Sequence, residues 1–154
     1  MFGKTLAAIA LVATVGIAGQ VLAQDSPENL VGYRQAVMKT LSGHISAIAS
    51  VVKGETSYGD YVANHARAMD EMGPVMADIW GEGTSMDDVE GSATKAVAWE
   101  DPAKLDSLVT AYQEAAAQIA EAAETGDMNQ VGAALGALGK SCGDCHKAIR
   151  HKDE

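Results

Sequence analysis

Along four stretches of this chain the apolar residues return at every third or fourth position, and nowhere do they alternate as in a strand. That period commits a chain to amphipathic helices, which must bury their stripes against one another. The first stretch opens with Ser26-Pro27-Glu28. A side-chain cap, a proline where the helix needs no N–H, and a carboxylate at the positive end mark a helix start. Its stripe is Leu30, Tyr33, Val37, Leu41, Ile45, Ile48 and Val52, and Gly54 ends it. The second spans residues 58–80 through Val62, Ala66, Met69, Met72, Met76 and Ile79, with Pro74 set to kink or divide it. Asp101-Pro102 starts the third, which uses Leu105, Leu108, Tyr112, Ala116, Ile119 and Ala123 and closes at Gly126. Asp127 caps the last, whose stripe is Val131, Leu135, Leu138, Cys142, Cys145 and Ile149. Residues 81–100, rich in Gly, Ser, Thr and Asp, read as a long surface connection holding at most a short helical turn. With two short connections besides, the expected fold is all-α, an antiparallel four-helix bundle.

The beginning of the chain sets the compartment. Lys4, the apolar run from Thr5 to Ala18 and the small residue Ala23 form a secretory signal pattern, with cleavage expected after Ala23. Residues 1–23 are thus read as a cleaved signal peptide and residues 24–154 as one domain; an uncleaved anchor is the alternative. The apolar run falls short of the roughly 20 residues a membrane span needs, so the mature form is expected not to span a membrane. The formal charge of −10 becomes −11 once Lys4 is removed, which disfavours nucleic acid as a partner.

Both cysteines of the chain fall in "SCGDCHKAIR" near its end. Cys142 and Cys145, at i and i+3, and His146, at i+4, project from one side of a helix. C-x-x-C-H is the attachment signature of haem c: two thioether bonds fix the macrocycle, and the next residue offers an imidazole to iron. Three alternatives compete with it. A thioredoxin-like pair needs βα units that the pattern lacks. A zinc site built from Cys142, Cys145, His146 and His151 lacks the usual two separated ligand pairs. A plain disulfide loop is the bland alternative.

Other features carry less. "GALGKS" is no phosphate loop, because Ala134 stands where the first glycine belongs and no strand precedes it. Gly132, Gly136, Gly139 and Gly143 recur at helical spacing. Each costs a helix interior roughly 1 kcal/mol relative to alanine, so close approach of a neighbouring helix is expected there, with the haem group as the rival occupant. His44 lies off the stripe of its helix and His65 on the polar side of the next, so both read as surface histidines.

The combined pattern resembles cytochrome c′ and its low-spin relatives, the class II c-type cytochromes, over nearly all of residues 24–154. "YRQAVM", "TKAVAWED" and "SCGDCHKAIR" carry the likeness, while "WGEGT" departs from the family's aromatic-Pro-x-Gly by holding Gly81 in place of proline. The resemblance implies a covalent haem c near the C-terminal helix, with Cys142 and Cys145 as its thioethers and His146 as axial iron ligand. It places Arg34 and Gln35 near the haem and Arg150 on the iron ligand's side. A guanidinium matches a carboxylate through two parallel hydrogen bonds, so a haem propionate is the expected partner of Arg34.

Met38 takes the family position facing the other side of the iron. Ligation by its thioether would favour electron transfer; Met38 as core filler would leave iron five-coordinate and open to a small gas. The primary expectation is a periplasmic one-electron carrier with His146 as axial ligand and Met38 as candidate sixth ligand, exchanging electrons with periplasmic redox partner proteins and turning over no substrate. The alternative is a five-coordinate protein that binds nitric oxide or carbon monoxide. Lys140, Lys147, Arg150, His151 and Lys152 gather at the last helix end, where they suit the helix dipole and a steering role toward acidic partners. Homodimers through the first two helices are common among the proteins resembled.

Overall fold

The computed structural model describes residues 25–152; the expected signal peptide and its boundary at Ala23 lie outside them. The helices are α1 (Pro27–Val52), α2 (Val62–Glu71), α3 (Gly73–Asp78), α4 (Val97–Glu100), α5 (Pro102–Glu124) and α6 (Met128–Ile149). A 3-10 turn, Gly59–Tyr61, leads into α2. The four staves of the antiparallel bundle are α1, α2 with its continuation α3, α5 and α6. α1 packs against α2 and α6, and α5 packs against the same two. No described helix is long and apolar enough to cross a membrane.

The helix boundaries follow local chemistry. Ser26 accepts the Asn29 N–H at 3.3 Å, Asp101 that of Lys104 at 3.1 Å, and Asp127 that of Asn129 at 2.9 Å, each satisfying a donor the helix start leaves orphaned. Gly54 and Gly126 leave α1 and α5 with φ of 72° and 71°, a conformation glycine enters without a Cβ clash. Pro74 divides the second stave, sitting in the first turn of α3. Around that break Tyr112 donates its hydroxyl to Met69 O at 2.6 Å, and Gln113 donates to Gly73 O at 2.9 Å, so α5 holds the two pieces in line.

Ile48, Val62, Met69, Ile119, Val131 and Leu138 are fully buried at the centre. The expected stripes need three adjustments. Tyr33 is 56% exposed, while Val31 and Arg34 turn inward in α1. In α5, Val109 and Ala115 join the core, and Leu105 and Leu108 stay half-buried. In α6, Leu135, Cys142 and Cys145 are half-buried, because the end of this helix borders a cavity as well as its neighbours.

Two expectations are corrected. The connection after α3 is no mere surface strap: Thr84, Ser85, Val89 and Thr94 are buried in it. It folds over the open end of the bundle and binds the end of α6, where Lys95 N–H donates to Ile149 O at 2.8 Å and His151 N–H to Ala93 O at 2.7 Å. The glycine stripe of α6 is not a helix-packing face either. Only Gly132 lies close to a neighbour, with Val52 Cγ1 at 3.1 Å from where a Cβ would stand; Gly136, Gly139 and Gly143 border open space. Gly81, by contrast, answers to packing: a Cβ there would come within 2.7 Å of Leu30 Cδ1.

Candidate functional site

A cavity of about 440 Å³ opens between α1, the end of α6 and the strap, within the range usual for cofactor sites. Met38, Gln35, Lys39 and Arg34 face it from α1, Cys145, His146 and Arg150 from α6, and Trp80, Ala93 and Thr94 from the chain between. The continuous helix α6 sets its chemistry. Spacing of i, i+3 and i+4 puts the two thiols and the imidazole along one side. Cys145 and His146 line the cavity itself, while Cys142 lies one turn deeper against the core.

Electrostatics keep these groups neutral. Burial, and then Cys142 beside it, pushes the Cys145 thiol up to about 11, and burial raises Cys142 as well. Burial lowers the His146 imidazole below its ordinary range, helped by the nearby cations Arg150 and Lys152. A neutral imidazole keeps a lone pair to give to a metal. The thiols are not joined to each other. No group of three or more His, Cys, Asp or Glu among the described residues is arranged to hold a metal ion, so the alternative zinc set draws no support from this geometry.

Arg34 is the feature sequence reasoning only half saw. It is 4% exposed, which removes the solvated-helix reading. The strap wraps its guanidinium: Nη1 donates to Thr84 Oγ1 at 2.8 Å and to Ile79 O at 3.4 Å, and Nη2 donates to Thr84 O at 2.8 Å and to Ser92 Oγ at 3.3 Å. Trp80 and Trp99 stack rings 5.7 Å and 5.8 Å from its central carbon. Those rings are themselves anchored, Trp99 Nε1–H on Trp80 O at 3.0 Å and Trp80 Nε1–H on Met76 O at 2.7 Å. Yet no carboxylate among the described residues pairs with Arg34. All its acceptors are neutral, and burial lowers its pKa. A buried cation without a counter-charge is costly, and this one stands on the cavity wall, so the site is suited to an anionic group.

The remaining predicted residues divide. Gln35 borders the cavity but also donates Nε2–H to Gly91 O at 2.9 Å, tying α1 to the strap. Arg150 ends α6 in extended backbone and bridges to Thr94. Met38 lines the cavity and also packs against the hydrophobic core. Of the terminal cations, Lys140 is paired with Asp144 on the helix surface, and Lys95, which was not anticipated, reaches Lys147 O at 3.3 Å on the last turn of α6. Thr84, Ser92 and the two tryptophans carry no local signal for this role, since the cage around the cation is assembled from residues 45 or more positions away from it in sequence.

Comparison with known proteins places this arrangement. A family model described as Cytochrome C′ matches residues 29–150. The chain is 35% identical over 127 residues to a cytochrome c′ of Pararhodospirillum photometricum, covering 81% of this chain and 98% of that one. It is 28% identical over 141 residues to a cytochrome c-554 of Cereibacter sphaeroides, covering 89% and 92%. Among solved structures it is similar to a ferrous variant of the Alcaligenes xylosoxidans cytochrome c prime with bound NO. The TM-score is 0.75 at 27% identity, over 84% of this chain and 99% of that one. A carbon-monoxide-bound variant of the same protein gives 0.74 at 29% identity, over 83% and 98%.

Proposed function

This chain belongs to the cytochrome c′ family and carries a covalently attached haem c, and on that premise we propose that it is an exported, periplasmic protein that binds nitric oxide or carbon monoxide at five-coordinate iron. Cys142 and Cys145 would hold the haem through thioethers, and His146 would ligate its iron. Bound there, the haem supplies an iron that accepts a diatomic gas or exchanges one electron. The chain's own residues prepare the cavity for it. Arg34, held by the strap through both Nη atoms, stands on the cavity wall, where a haem propionate would supply the missing counter-charge. Gln35 and Arg150 complete the polar edge, and Trp80 excludes water from one wall.

The observation that carries this reading is the double engagement of Met38, which lines the cavity while packed against the hydrophobic core. A thioether wedged among core side chains acts as an apolar stopper: it limits what can enter opposite His146 to something small. Two of the similar solved structures hold NO or CO, which supports the same choice. The second reading, a His146/Met38 electron carrier, is favoured by the cavity position of Met38 and by the likeness to cytochrome c-554.

Resonance Raman and absorption spectra of the oxidised and reduced protein decide between them. The proposal expects high-spin, five-coordinate iron in both states, and gas uptake that speeds by about tenfold or more in Met38→Ala as the stopper is removed, a barrier change of about 1.4 kcal/mol. A low-spin wild type that turns high-spin in Met38→Ala would overturn it in favour of the carrier.

A further inference from the structure

α1 and α2 meet at two histidines that the haem cavity does not use. His44 Nδ1 and His65 Nδ1 lie 2.9 Å apart, with ring centroids separated by 5.1 Å and planes inclined at 57°. Both are half-buried. The reading of each as a lone surface histidine therefore fails, because two helices that look unrelated in sequence bring their imidazoles head to head. In a neutral pair one Nδ1 carries the hydrogen and the other presents a bare lone pair to it.

We propose that His44 and His65 form a transition-metal site, apart from the haem cavity, holding one zinc- or copper-class divalent ion through their two Nδ1 atoms with water completing its coordination. Imidazole nitrogen binds such ions at about 2.0–2.1 Å. Two imidazoles on one tetrahedral ion then have nitrogens about 3.3 Å apart and ring centroids about 5 Å apart. The centroids of this pair already stand at 5.1 Å. Admitting an ion requires the rings to tilt about their own centres, opening the nitrogens by roughly 0.4 Å on that bond length; it does not require α1 to move relative to α2.

The backbones beneath are held firmly. Leu41 and Ile48 flank His44, and Val62, Ala66 and Met69 flank His65, all of them buried. Both rings are only half-buried, so solvent can supply the water ligands. Proton bookkeeping closes: the hydrogen on one Nδ1 passes through solvent to that ring's Nε2, freeing both Nδ1 lone pairs with no net change in charge. Two nitrogens and no thiolate select zinc, copper or nickel over calcium and magnesium. The acidic chain, formally −10, attracts cations in general.

Calorimetric titration of the haem-loaded protein with ZnCl₂ near neutral pH tests this. One saturable event with Kd below about 1 mM is expected, weakened at least tenfold in both His44→Ala and His65→Gln and unchanged in His151→Ala. Circular dichroism and the haem absorption spectrum serve as the folding check for each variant. Lack of saturable binding up to about 1 mM, or binding that survives in both pair variants, would sink the proposal. The readout is zinc stoichiometry, so it stands or falls independently of the gas-binding reading.

Discussion

Tyr112 illustrates how much one side chain decides here. Its hydroxyl donates to Met69 O across the bundle at 2.6 Å, and burial, with smaller contributions from Cys142 and Asp70, pushes its pKa well above the usual tyrosine value. The sign follows from linkage. A phenol held neutral in the folded state binds its proton more tightly than in the unfolded chain. Its contribution is present in full below the unfolded pKa of about 10 and is lost as pH rises beyond that value. Tyr112→Phe should therefore lose about 1 kcal/mol at neutral pH with its hydrogen bond, yet show a shallower decline in stability above pH 10 than wild type. Urea melts at pH 7 and across the alkaline range check both halves; an identical alkaline slope in the variant would contradict the assignment. Arg34 makes the complementary point, since its helix neighbours alone do not reveal that it would be caged.

Among the elements, α6 departs furthest from simple helix rules. It keeps glycines at 136, 139 and 143, where a Cβ would meet nothing within 4 Å. Interior glycine costs a helix backbone entropy without any packing return. Gly136→Ala and Gly139→Ala should each stabilise the protein by about 0.5–1 kcal/mol, read as a higher thermal midpoint of the haem-loaded form. Destabilisation would mean that something absent from the described residues occupies that face. The strap between α3 and α4 behaves in the opposite way. Its composition is that of a loop, yet it buries Thr84 and Thr94 and ties α1 to α6 through Arg34, Gln35 and the extended end at Arg150. Gly81 belongs to this element as the point where the chain passes close over Leu30; a Cβ there, proline's included, would make the end of the Leu30 side chain shift.

At the scale of the whole molecule, the bundle has a common core of buried side chains from all four staves and a cavity at one place, between α1 and the end of α6. The cap that covers this end is the strap, and the fittings inside are Cys145, His146 and a cation lacking its anion. Replacing Cys142 and Cys145 together with alanine should leave no haem on the chain after denaturing gel electrophoresis. It should also lower the thermal midpoint, because an unfilled cavity forfeits its packing. Haem that remains covalently bound in that double variant would remove the proposed attachment.

The four staves, the caps at Ser26, Asp101 and Asp127, the division at Pro74 and the C-x-x-C-H signature were all legible in the chain alone. Each rests on interactions within a few residues, where spacing and side-chain chemistry are sufficient. The inward turn of Arg34 in place of Tyr33, its cage of Thr84, Ser92 and two tryptophans, the open face beside the α6 glycines and the meeting of His44 with His65 belong to the tertiary structure. These depend on how far one helix is rotated against the next and on where the strap of residues 79–96 lies, longer than loops in compact domains usually run. No local period encodes either quantity, because both are set by the collective packing of side chains far apart in sequence.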